Sequence, residues 1–116
     1  MKIIGIAIVA MVCAYTSNDP LAGSWQRVSA TNGIYRVSFT PDNTFQMFVN
    51  DQLRVTGTYT LNDSIVIMDD SGCPDMTGTY KLSFFGNGDS CRVQVIGDPC
   101  DARVQQAHEA VLFRLP

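Results

Sequence analysis

Histidine and glutamate are almost missing from this chain of 116 residues: His108 is the only histidine and Glu109 the only glutamate. His108 has no serine or cysteine partner implied by spacing, so it reads as an idle surface residue rather than a general base. No C-x-x-C spacing exists, and a zinc site has no support. The Asp69–Asp75 loop is rich in carboxylates but lacks EF-hand spacing, so it reads as a plain polar loop. No two acids stand out as a matched pair for glycoside chemistry. There is no basic stripe, and the net charge is −3; nucleic acid is not an expected partner. No apolar run is long enough to cross a membrane as a helix. Repeats, linkers and low-complexity segments are absent. The expectation is a protein with no catalytic residues, no cofactor and no metal, and therefore not an enzyme.

What is present begins with a leader pattern. Lys2 precedes an apolar run over residues 3–12, followed by the polar stretch Tyr15-Thr16-Ser17-Asn18-Asp19-Pro20. A positive start, a short apolar centre and small residues at its end describe a secretory signal over 1–14, with 15–22 as a polar tether. Two processing routes fit. Val12-Cys13-Ala14 has small residues spaced for ordinary cleavage, whereas lipid attachment at Cys13 would tether the chain to a membrane. Val12 stands where lipoprotein signals usually carry a small residue. The competing reading makes the run a buried first strand.

Export places the chain in an oxidising compartment: periplasm, cell envelope or medium. Three cysteines then remain. Cys91 opens the alternating run Cys91-Val93-Val95 and reads as a buried core thiol without a base partner. Cys73 and Cys100 both lie in turn-rich segments, and they are the expected disulfide.

Composition supports one folded domain over 23–116, with 46% hydrophobic and 16% charged residues. All but one of the 11 acids are Asp, which favours turns. Two-residue alternation marks strands near 25–29, 35–40, 44–49, 53–61, 65–68, 80–84, 91–96 and 111–115. Leu53, Val55, Gly57, Tyr59 and Leu61 are expected on one face, with a bulge or bend at Gly57. Asn50-Asp51 and Asn62-Asp63 are hairpin turns; Asn62-Asp63-Ser64 is also a glycosylation sequon. Asp98 as cap and Pro99 at the first position predict a short helix that runs through 102–107 and ends near Glu109. Arg103 is expected to bond loop carbonyls or a carboxylate such as Asp98. The fold class is all-β: about eight antiparallel strands in an up-and-down barrel, with one helix before the last strand.

Gly23-Ser24-Trp25 and Leu112-Phe113-Arg114 resemble the two ends of the lipocalin-like group of small exported bacterial domains. Asp98-Pro99-Cys100-Asp101-Ala102-Arg103, with Gly72-Cys73 and Gly78-Thr79-Tyr80, is similar to a pattern in which the two cysteines are joined. The resemblance implies that Gly23, Trp25 and Arg114 plug one barrel end, the guanidinium lying over the indole. It also implies a small apolar ligand in the lumen. The chain is much shorter than a typical lipocalin, and its expected lumen set is bulky: Tyr35, Phe39, Phe45, Met47, Tyr59, Tyr80, Phe84 and Phe113. A barrel of eight strands has room for side chains or one small ligand. The alternative is therefore a cell-envelope interaction or structural domain with a filled barrel, its protein partner unspecified.

Overall fold

The structure, a computed structural model, describes residues 19–29 and 33–116. The leader, Cys13 and residues 15–18 of the expected tether lie outside the described residues. Eight strands form a closed antiparallel barrel in sequence order. They are β1 (Gly23–Ser29), β2 (Gly33–Phe39), β3 (Thr44–Val49), β4 (Gln52–Asn62), β5 (Ile65–Asp70), β6 (Gly78–Phe85), β7 (Ser90–Gly97) and β8 (Val111–Arg114), with helix α1 (Asp101–Ala107) between the last two. Every strand pairs with its neighbour in the chain, and β8 returns to β1 through Trp25 opposite Arg114 and Gln26 opposite Phe113.

Turn chemistry sets the register. Asn50 and Asp51 both take positive φ, 50° and 67°, the conformation a two-residue hairpin requires. Gly57 pairs with Phe45 on one side and Asp70 on the other. A Cβ there would sit 2.2 Å from the Asp69 carbonyl oxygen. This glycine permits close strand approach rather than the expected bulge. The irregularities fall elsewhere: β4 slips between its pairs with Met47 and Phe48, leaving Arg54 as the extra residue, and β7 slips at Ile96. The first slip breaks the alternation. Leu53, expected on the same face as Val55, is 51% exposed.

The strands alternate between two barrel ends. At one lie the segment before β1, the β2–β3, β4–β5 and β6–β7 turns, and Arg114. At the other lie the β3–β4 turn, the β5–β6 loop and α1. The core between them includes Trp25, Phe39, Phe45, Tyr59, Tyr80 and Leu82.

Candidate functional site

The first barrel end is sealed by packing. Gly23, Trp25 and Arg27 alternate along β1 toward the interior, and Trp25 is completely buried. Its indole Nε1 donates to the Leu21 carbonyl at 2.9 Å. Arg114 places its guanidinium carbon 4.3 Å from the indole centroid. Its nitrogens donate to the carbonyls of Ala22 and Pro20, both at 2.7 Å, and of Gly88 at 3.2 Å. Gly23 has φ +123°, and a Cβ there would sit 2.9 Å from Arg114 Nη1, so the motif glycine makes room for the arginine.

The segment just before β1 is therefore not a free tether. Leu21 is buried, and the Asp19 carboxylate accepts from the Tyr59 hydroxyl at 2.6 Å. Burial, together with that carboxylate, pushes the Tyr59 phenol well above its usual pKa. Arg114 also holds the carbonyls of residues 20 and 22, so residues 19–22 pack onto this barrel end.

The opposite end is covered by a latched helix. Cys73 and Cys100 form a disulfide with Cα atoms 6.1 Å apart. It joins the β5–β6 loop to the start of α1. Cys100, not Asp98, caps the helix. The Asp98 carboxylate is engaged elsewhere: it accepts from the Cys100 N–H at 2.9 Å and from Arg103 Nε and Nη2 at 2.6 and 2.8 Å. Asp70 does the same for the other cysteine loop. It accepts from the Gly72 N–H at 2.9 Å, while Arg103 Nη1 reaches its second oxygen at 3.0 Å. Each half of the disulfide thus follows an aspartate that folds its loop, and both aspartates share Arg103. Burial raises the Asp98 pKa, but the Arg103 bond and the Cys100 N–H outweigh it, and the net shift is downward. The bond to Asp98 in turn raises Arg103 further. At the far end of α1, Arg27 donates to the Gln106 carbonyl, a cation at the negative pole of a helix with no basic residue in its last turn.

Between plug and latch lies a cavity of about 310 Å³. Tyr35, Phe39, Phe45, Met47 and Tyr80 of the expected lumen set line it, and α1 contributes Ala102, Arg103, Gln106 and Ala107. Leu21, Arg27, Val66, Leu82, Val93 and Leu112 also line it and were not singled out from the sequence, although strand alternation points to most of them. The other three expected residues sit elsewhere. Tyr59 packs edge-on to Phe39 at 5.0 Å, and Phe84 lies 6.1 Å from Trp25. Phe113 is 55% exposed on the outer face. Successive strand residues face opposite sides, so with Arg114 directed onto Trp25, Phe113 must point out.

Cys91 is buried and unpaired, and burial pushes its thiol up to about 11, which leaves it unreactive. His108 is exposed beside Glu109. Among the described residues no cluster of His, Cys, Asp or Glu could hold a metal ion. No protein-family model matches the chain, and neither the curated proteins nor the solved structures give a significant match.

Proposed function

We propose that this chain is an exported, lipocalin-like barrel that binds one small apolar molecule beneath α1. The cavity carries this reading. Its volume is at the lower end of the range for small-molecule sites, and its walls are mostly aliphatic and aromatic. Of the charged groups that line it, Arg103 and Asp70 are engaged with each other, and Arg27 with the Gln106 carbonyl. This supports binding rather than catalysis. The plug of Gly23, Trp25 and Arg114 and the joined cysteines support the lipocalin-like assignment, and the disulfide also supports export through the leader over 1–14. Cleavage or lipidation at Cys13 remains the processing choice, the second giving a membrane tether.

The filled-barrel interaction domain is the second reading. Phe85 and Phe113 favour it, because both are exposed and both pair with Ser90 on the outer face. Native mass spectrometry of protein purified from its own host separates the two. A retained small organic molecule is the expected result. No retained molecule, together with no saturable binding of n-butylbenzene in calorimetry, would refute ligand binding.

A further inference from the structure

The ways into the cavity are few. The plug closes one end with a fully buried Trp25, and the wall is a closed sheet in which every strand is paired on both sides. Passage is left to the end under α1. The helix leaves β7 after Gly97 and returns to β8 at Val111, and these two strands are neighbours. It is therefore a flap attached along one side of the mouth. Four of its residues line the cavity, yet none is buried, so little apolar area holds it down. A small set of bonds ties it across the mouth. The Cys73–Cys100 disulfide and Arg103, which reaches Asp70 and the Met76 carbonyl, hold its start to the β5–β6 loop. Arg27 holds its last turn to β1 through the Gln106 carbonyl.

Building on the ligand-binding reading, we propose that the Cys73–Cys100 disulfide is the latch of this flap: the ligand exchanges slowly while the bridge is intact and quickly once a dithiol has reduced it. Cys73 is half-buried in a loop where Gly72, Pro74 and Asp75 are exposed, whereas Cys100 is 3% exposed. A dithiol thiolate therefore attacks at Cys73 and expels Cys100 as a thiolate; its second thiol then displaces Cys73. The dithiol leaves as a cyclic disulfide, and its two protons end on the two cysteines. The Cys100 sulfur already accepts the Arg103 N–H at 3.4 Å, a bond that strengthens on a thiolate. Cys91 takes no part, being fully buried on β7 opposite Phe84 at the plug end. Reduction leaves the bonds of Arg103 to Asp70 and Asp98, so the flap stays over the mouth but opens more often.

Fluorine NMR exchange with para-fluoro-n-butylbenzene tests this on the oxidised protein, the same protein in dithiothreitol, and Cys73→Ser/Cys100→Ser, with calorimetry for the affinity. Without the bridge, the association and dissociation rates should both rise roughly tenfold or more, while Kd changes far less than either. Such a joint rise marks a door; damage to the site would raise dissociation and Kd together. Arg114→Ala, which weakens the distant plug, should leave both rates unchanged. Unchanged rates without the bridge would overturn the inference. So would dissociation that rises in step with Kd, or an equal acceleration in Arg114→Ala. Loss of the fold in the cysteine variant would make the bridge a staple of the whole domain and overturn it too. In each of these cases, binding to the oxidised protein leaves the apolar site standing. If the probe does not bind the oxidised protein, both readings fail.

Discussion

The two ends of the barrel are closed by different physics. At the plug, Trp25, Leu21 and Arg114 close the end by contact, with a buried indole at the centre. At the lid, α1 contributes no buried residue and is held by a disulfide and a shared arginine. A packed end needs no latch, because the apolar area it removes from water stabilises it directly. A helix laid over open space has little such area, so covalent and ionic bonds must fix it. The kind of closure at each end therefore indicates where the empty volume lies.

The sharpest way to break the comparison is at the plug. Trp25→Ala should cost about 3–5 kcal/mol in denaturant unfolding, as for a core aromatic. Arg114→Ala should cost on the order of 1–2 kcal/mol, and the double variant less than the sum, because the groups touch. Additive losses would show that the plug is not a unit.

A smaller loss is expected at the lid. Cys100→Ser opens a loop whose ends are 27 residues apart, for which chain entropy gives roughly 3.5 kcal/mol. Asp98, Asp70 and Arg103 still hold both cysteine loops in this variant, so the measured loss should fall below that figure. Non-reducing peptide mapping of wild type should find the 73–100 bridge and an unmodified Cys91. A bridge through Cys91 would refute the arrangement.

The smaller effect at the lid is electrostatic. Asp98→Asn should cost about 2 kcal/mol at neutral pH, since Arg103 keeps Asp70 while losing one buried partner. The Asp98 pKa is depressed in the fold. Its contribution is therefore complete above the unfolded value of about 3.9 and disappears as pH falls through the folded value. Between pH 7 and pH 3, wild type should lose more stability than Asp98→Asn. Equal losses would place the acid sensitivity in other carboxylates.

The strands were legible because turns and alternation repeat along the whole chain, and a closed meander needs little else. The errors came where alternation alone decided the phase. Leu53 and Val55 look alike in sequence, but Arg54 is an extra residue between them and turns Leu53 outward. Phe113 has the hydrophobicity of a lumen residue, but its neighbour Arg114 occupies the plug. Adjacent strand residues cannot both face inward, and the arginine has the stronger local bonds. The helix was visible from its composition, whereas its position over the barrel mouth depends on a cross-link to a loop far away in sequence. Arg27 was missed for a related reason: a charged residue in an inward phase makes sense only once the Gln106 carbonyl above it is known.

The seam where β8 meets β1 joins the last strand to the first, and two residue pairs define it. All other strand pairs join neighbours along the chain and can form as local hairpins. During synthesis, the free edge of β1 must wait for the last strand to emerge. Until then the molecule is an open sheet with two unpaired borders, which can join a second copy as readily as each other. The time for which the final strand is withheld, rather than the stability of the finished barrel, sets how long that mispairing can occur.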